Sequence, residues 1–289
     1  MEKRFDWVIV GCGYTGLRLA KHVAAATLNV LVCRRSQEAL DRFGALGPHV
    51  TKRACDKANL DDVSLEGAVV VDCAPPSVEQ AEAKLVLAAK NNNAKRLIYV
   101  SSTGVYSAGG GDWVDETHPL EPIGVRGQKR LRAENEIRKG SNEQDLAWNV
   151  LRVPAIYGPF RGVHDRLRRK QYRPLKTNTV VSRIHVDDLV KAIWEVGNGA
   201  EVENEIFNVA DYAPERSEIV CKGICDTLGI EFPGFRSLET VDADKRSMFL
   251  ANRKVSNQKI IQALKFKFEY PSWKEGVAQC LREESAENK

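Results

Sequence analysis

The sequence lacks any apolar run long enough to cross a membrane, and it contains no repeat or low-complexity segment. An apolar strand begins within the first ten residues, which leaves no room for a signal peptide, so we expect a cytoplasmic protein without membrane contact. The net charge is only +4 over 289 residues, and 43% of the residues are hydrophobic. These values are typical of a soluble globular protein, with one large α/β domain or a core and a small lobe.

The cysteines lack the spacing of a metal site or of a disulfide framework. There are seven, and most of them lie inside apolar runs, where a free thiol behaves as a small hydrophobic side chain. Cys221 and Cys225 are four residues apart on one helix face, but no other ligand type lies near them in sequence. We therefore expect cysteines of the core, no bound metal and a reducing compartment.

One basic segment stands out, residues 161–173. It contains four cations that a nucleic acid could contact, but the interleaved aromatic residues of single-strand binders are missing. A solvated helix face or a wall for an anionic substrate is the favoured interpretation, and no nucleic-acid partner is expected. The four cations are Arg166, Arg168, Arg169 and Lys170.

A glycine-rich turn follows the first apolar strand. Trp7-Val8-Ile9-Val10 leads directly into Gly11-Cys12-Gly13-Tyr14-Thr15-Gly16, residues 17–26 have a helical pattern, and Val30-Leu31-Val32-Cys33 is a second apolar run. The order strand, G-x-G-x-x-G, helix, strand is the context in which this motif indicates dinucleotide binding. The alternative is a glycine turn in an α/β domain that binds no nucleotide.

Each glycine has an expected role. Gly11 permits the tight turn, Gly13 lets the backbone approach a pyrophosphate, and Gly16 lets the helix pack close to the strand. Tyr14 and Thr15 begin the helix whose free N–H groups face the phosphates, and Tyr14 is expected to lie over the pyrophosphate.

The second strand ends without the acidic residue that an NAD-binding protein usually places there for the ribose 2′-hydroxyl. Arg34 and Arg35 occupy this position instead. Two guanidinium groups suit a 2′-phosphate, so NADP is favoured over NAD as the cofactor. The alternative is that both arginines belong to a solvated loop.

Strands and helices alternate over the first 159 residues. This alternation predicts an α/β Rossmann fold, with a doubly wound parallel sheet and a small C-terminal substrate lobe. Residues 68–73 are apolar almost throughout, as expected for a parallel strand covered on both faces. The NAD(P)-binding Rossmann domain is predicted to span residues 1–159, with residues 181–211 returning to it. Residues 160–180 and 212–289 are predicted to form the substrate lobe.

Ordered short motifs run along nearly the whole chain, among them Asp56, Ser101-Ser102-Thr103-Gly104-Val105-Tyr106, Ile156-Tyr157-Gly158-Pro159, Ile184-His185-Val186-Asp187-Asp188 and Phe207-Asn208-Val209. With the glycine turn, they make the chain resemble the atypical and extended short-chain dehydrogenase/reductases, the NAD(P)-dependent epimerase/dehydratase-like group. The resemblance implies an NADP-binding oxidoreductase or epimerase-like protein.

The resemblance also implies a catalytic set that departs from the family pattern. The family uses a serine after the fifth strand, matched by Ser102, and a tyrosine and a lysine in a Y-x-x-x-K helix. Gly127 and Glu134 set a register in which Arg126 replaces the tyrosine and Arg130 replaces the lysine. A register shifted by one residue would place Lys129 at the lysine position, and neither register supplies a phenol.

The expected catalytic residues are therefore Ser102, Arg126 and Arg130. By the same resemblance the cofactor is bound by Gly11, Gly13, Tyr14, Thr15, Gly16, Arg34, Arg35, Asp56, Ala74, Pro75 and Pro154. An anionic small molecule, such as a nucleotide-sugar or a carboxylate, is the expected substrate, because Arg161, Arg166 and Arg183 are available to bind it. The alternative function is an NADP(H)-binding sensor or scaffold without turnover, which the missing tyrosine favours.

Overall fold

A computed structural model describes residues 4–76, 80–242, 246 and 249–287 of the chain. The strands are β1 Trp7–Val10, β2 Val30–Arg34, β3 Val50–Ala54, β4 Val69–Asp72, β5 Arg96–Ser102, β6 Trp113–Val114, β7 Trp148–Val153, β8 Ala155–Tyr157, β9 Val180–Val181, β10 Arg183–His185, β11 Glu205–Asn208, β12 Glu215–Arg216 and β13 Lys254–Val255. The helices are α1 Tyr14–Ala25, α2 Gln37–Asp41, α3 Ala81–Asn91, α4 Val125–Glu143, α5 Val163–Arg168, α6 Val186–Asn198, α7 Ser217–Leu228, α8 Gln258–Leu264 and α9 Trp273–Glu287.

Seven of the described strands form one sheet in the order β11-β7-β5-β4-β1-β2-β3. The pairings of β1 with β2, β1 with β4, β2 with β3 and β4 with β5 are all parallel. Helices follow β1, β2, β4 and β5 in sequence, which is the alternation that a doubly wound sheet requires. The Rossmann fold predicted from the sequence is confirmed.

The chain divides into two compact units. The first consists of Met1–Ser101, Lys129–Arg152 and Val190–Phe207, and it contains almost all of the seven-stranded sheet. The second consists of Ser102–Gln128, Val153–Leu189 and Asn208–Lys289.

The core of the first unit is built on the apolar faces of the sheet. One face of the sheet presents Val8, Leu31 and Val70, against which Leu85 of α3 and Ile137 of α4 pack, and all five are almost completely buried. Burial of one such side chain contributes roughly 1.5–3 kcal/mol. Polar and apolar residues do not need to alternate along these strands, because both faces of the sheet are covered. This agrees with the apolar sequences of the strands.

The second unit has its own small core and three short strand pairs. β8 pairs with β10 and β13 with β6 in parallel, whereas β9 pairs with β12 antiparallel. Leu167 of α5, Cys221 and Cys225 of α7 and Trp273 of α9 meet in one hydrophobic cluster. The basic segment contains the helix α5, whose Leu167 is buried in this cluster.

Candidate functional site

The loops after β1 and β4 meet at the carboxyl edge of the sheet. These two strands are neighbours at its centre, and from them the strand order runs outward in opposite directions. Open α/β sheets bind ligands in the crevice outside the carboxyl ends at such a switch point. Gly11 and Gly13 follow β1, and Ala74 and Pro75 follow β4, so these four predicted cofactor residues lie at the expected place.

The three glycines of the turn have different surroundings. Gly11 has a φ of +72°, and a Cβ added there would lie 2.5 Å from the Ala74 backbone nitrogen. A Cβ on Gly16 would lie 3.0 Å from Cγ2 of Ile9, on β1. A Cβ on Gly13 would meet, among the described residues, only the Gly11 carbonyl oxygen, at 3.8 Å. Gly11 and Gly16 are therefore required by the packing of this unit, whereas Gly13 faces open space.

Arg34 is held at the end of β2 by its own loop. Its Nη1 donates to the Ala39 carbonyl oxygen at 3.2 Å, and its guanidinium carbon lies 5.2 Å from the Phe43 ring centroid. Burial raises the pKa of the Cys12 thiol to about 12, and the positive charge of Arg34 opposes this shift. Arg35, beside Arg34, is exposed.

A buried ion network that sequence reasoning missed lies beneath the loops at this edge. Lys57, next to the predicted cofactor residue Asp56, donates from Nζ to Asp72 at 2.7 Å and to Glu82 at 2.9 Å. The second Asp72 carboxylate oxygen accepts from the Ala74 N–H at 2.9 Å. Burial raises the pKa of Asp72, an effect that the Lys57 charge opposes. The one signal in the sequence was an aspartate at the end of an otherwise apolar strand.

Two residues of α4, one near its start and one near its middle, have specific packing requirements. In the second unit, Gly127 packs directly on the Gly104 carbonyl oxygen and has no space for a Cβ. In the first unit, Glu134 is buried, accepts from the Ser101 hydroxyl at 2.5 Å and forms an ion pair with Arg152 at 2.8 Å. These are the two residues from which the register of the helix was inferred in the sequence.

Arg130 projects from α4 onto the carboxyl ends of β4 and β5. Its Nη1 donates to the Tyr99 hydroxyl at 2.9 Å and to the Val100 carbonyl oxygen at 3.0 Å, and it lies 3.4 Å from the Ala74 carbonyl oxygen. Lys129 is exposed. The phenol of Tyr99 was also missed in the sequence. It is buried, burial raises its pKa, and its hydroxyl oxygen accepts from Arg130.

Three predicted site residues belong to the second unit: Ser102, Arg126 and Pro154. The Ser102 hydroxyl accepts from the Gly104 N–H at 3.1 Å and caps a short 3-10 turn over Thr103–Val105. Its proton is available to donate to another group. Arg126 is exposed near the start of α4.

Two tyrosines and a histidine of the second unit have structural partners. The Tyr106 hydroxyl donates to Asn208 at 2.7 Å, and the Tyr157 hydroxyl donates to the Ser272 carbonyl oxygen at 3.2 Å. His185 is fully buried and contacts the Cys280 thiol at 3.6 Å. Among the described residues, no group of three or more His, Cys, Asp or Glu side chains could hold a metal, and no helix is long and apolar enough to cross a membrane.

A parallel sheet with a glycine turn at its switch point defines a nucleotide-binding α/β protein of the Rossmann type. The sequence matches the family model described as NAD(P)H-binding over residues 11–195, which is more than half of the chain. The chain therefore belongs to the NAD(P)H-binding family. A comparison with curated proteins finds no match.

Solved structures share the fold over the full chain. A functionally unknown conserved protein from Silicibacter pomeroyi has a TM-score of 0.84 and 25% identity, covering 96% of this chain and 99% of its own. DesIV, a dTDP-glucose 4,6-dehydratase from Streptomyces venezuelae with NAD bound, has a TM-score of 0.82 and 20% identity, covering 99% and 98%. UDP-N-acetylglucosamine 4-epimerase from Methanobrevibacter ruminantium, in complex with UDP-N-acetylmuramic acid, has a TM-score of 0.81 and 16% identity, covering 100% of both chains.

Proposed function

We propose that this protein is an NADP(H)-dependent oxidoreductase or epimerase-like enzyme of the atypical short-chain dehydrogenase/reductase type, acting on an anionic small molecule. The observation that carries the proposal is the contrast between the glycines of the turn. The fold itself requires Gly11 and Gly16, but the space beside Gly13 is open and suits the close approach of a pyrophosphate.

Two features support NADP over NAD. No carboxylate stands at the end of β2, where a ribose 2′-hydroxyl would be bound. Arg34 is held there by Ala39 and Phe43, so its guanidinium is pre-oriented for a 2′-phosphate, and Arg35 adds a second positive charge. DesIV is described with NAD bound, which makes the choice of cofactor the first property to measure.

The proposed substrate is a nucleotide-sugar or another carboxylate or phosphate compound, bound by the second unit. The named sugar-nucleotide enzymes with this fold support the class of substrate. Arg161 and Arg166 are exposed and suit a negatively charged group, whereas Arg183 is buried and donates to the carbonyl oxygens of Val181 and Glu215. We therefore assign anion binding to Arg161 and Arg166 rather than to Arg183.

Calorimetric titration with NADPH and NADH tests the proposal. The wild type is expected to bind NADPH more tightly, and Arg34→Ala is expected to weaken NADPH binding by roughly 10- to 100-fold, because a charge-assisted hydrogen bond contributes about 1.5–3 kcal/mol. Arg42→Ala is the matched control, since Arg42 is an exposed arginine nearby whose partner is Glu38. Equal affinity of the wild type for the two cofactors would refute the assignment of NADP.

The alternative is an NADP(H)-binding sensor or scaffold without turnover. It is favoured by the arginines at the places of the family tyrosine and lysine, since an arginine does not act as a proton shuttle near neutral pH. Incubation with NADPH deuterated at C4 and a metabolite extract separates the two functions. Deuterium that appears in a metabolite, and that is lost with Ser102→Ala, would establish an enzyme. An epimerase-like enzyme takes a hydride from its substrate and returns it, so the same extract is also incubated with NADP⁺ and followed for conversion of a metabolite without net reduction. Tight NADPH binding with neither deuterium transfer nor such a conversion would favour the sensor.

A further inference from the structure

The buried ion network of Lys57, Asp72 and Glu82 connects three parts of the first unit. Lys57 follows β3, Asp72 is the last residue of β4, and Glu82 lies in the first turn of α3. The side chain of Lys57 is 3% exposed, and those of both carboxylates are fully buried. These three groups are charged or strongly polar, and none of them belongs to the predicted cofactor set.

Stability alone is a poor explanation for this network. Removal of three ionisable groups from water is costly, and apolar side chains of similar volume at such sites are often as stabilising or more so. A buried ion network does define one geometry, because its members must keep their hydrogen-bonding distances. The position of the network in the fold is therefore more informative about its role than its contribution to the free energy of unfolding.

The network lies directly beneath the loops of the candidate cofactor site. Asp56, next to Lys57, accepts from the Ala58 N–H at 2.8 Å and shapes the loop after β3. Asp72 accepts from the Ala74 N–H at 2.9 Å and shapes the loop after β4. Ala74 in turn packs on Gly11, so a displacement of Asp72 would reach the glycine turn.

We propose that Lys57, Asp72 and Glu82 are positioning residues, which hold the loops after β3 and β4 in the arrangement that receives the dinucleotide. This inference rests on the proposed function, since the ligand it concerns is NADP(H). The network acts through Asp56 and Ala74 and does not itself contact the cofactor.

The test compares two buried cations at opposite edges of the same sheet. Lys57→Met removes the cation at the carboxyl edge. Arg96→Met is the matched control at the amino edge, where Arg96 is fully buried and pairs with Glu203 at 2.7 Å. NADPH affinity is measured by fluorescence at low temperature with wild type and both variants, after circular dichroism has confirmed that each is folded.

Lys57→Met is expected to weaken NADPH binding by about tenfold or more, which is the effect of losing one charge-assisted hydrogen bond to the dinucleotide when the loops shift. The NADPH affinity of Arg96→Met is expected to stay within about twofold of the wild-type affinity, even if its melting temperature falls as much as that of Lys57→Met. Equal affinities in the two variants would overturn the proposal. If Lys57→Met does not fold, Glu82→Gln replaces it, and an unchanged affinity of that variant would overturn the proposal equally.

Amide hydrogen exchange without cofactor keeps this inference separate from the proposed function. Lys57→Met is expected to speed exchange at the Ala58 and Ala74 amides, and Arg96→Met is expected to leave both unchanged. A wild type that does not bind NADPH would refute the proposed function and leave this arm intact. Unchanged exchange at both amides in Lys57→Met would refute the positioning role, whatever the wild type binds.

Discussion

Alanine substitution of the turn glycines should distinguish the glycine required for NADPH binding from the glycines required for stability. A methyl group on Gly13 would lie 3.8 Å from its one described neighbour within 4 Å, an ordinary van der Waals distance, and the φ of Gly13 is −104°. Gly13→Ala should therefore change the free energy of unfolding by less than about 1 kcal/mol, within the range of ordinary surface substitutions. The same methyl group would occupy the space through which a pyrophosphate approaches.

The expected loss of NADPH affinity in Gly13→Ala is about 1–3 kcal/mol, the usual cost of one extra carbon in a filled site, or roughly 5- to 150-fold. Gly11→Ala should behave in the opposite way. Its φ of +72° costs about 1–2 kcal/mol for an alanine, and the overlap with Ala74 adds about 1–3 kcal/mol more. Gly11→Ala should therefore lower the stability of the protein by about 2–5 kcal/mol.

Thermal unfolding without cofactor, followed by NADPH fluorescence titration of the variants that fold, measures both quantities. Gly16→Ala is an internal control, since its methyl group would lie 3.0 Å from Ile9 and should reduce stability by an intermediate amount. A Gly13→Ala variant that binds NADPH like the wild type, or that loses as much stability as Gly11→Ala, would contradict these separate roles of the two glycines.

Two further predictions concern the buried Asp211 and the α4 residues Arg130 and Lys129. Burial raises the pKa of Asp211 to about 7 from 3.8, so its contribution to stability is full below pH 4 and is lost as the pH rises through 7. Asp211→Asn should therefore gain on the wild type by about 2–3 kcal/mol between pH 5 and pH 8 in thermal melts, and a constant difference would contradict the argument. Arg130→Ala should weaken NADPH binding while Lys129→Ala does not, because only Arg130 contacts the ends of β4 and β5. A larger effect of Lys129→Ala in the same titration would show that the other register is the functional one.

The sequence alone was sufficient for the sheet and the glycine turn, because both depend on short-range patterns. The apolar runs of β1, β2 and β4 fit only strands covered on both faces, and G-x-G-x-x-G has its meaning from the strand before it and the helix after it. Gly127 and Glu134, from which a register of α4 was inferred, each have a specific packing requirement, and the register of the family motif stays a prediction.

Contacts between residues far apart in sequence were decided only by the tertiary structure. Lys57 is 15 residues from Asp72 and 25 from Glu82, and a lysine in a polar segment gives no sign that it will be buried. Tyr99 and Arg130 are 31 residues apart, and their pairing requires β5 and α4 to be packed together. A side chain's periodic position indicates which face it occupies, but its partner depends on which elements meet. The packing of strands and helices therefore determined which polar groups surround the candidate site.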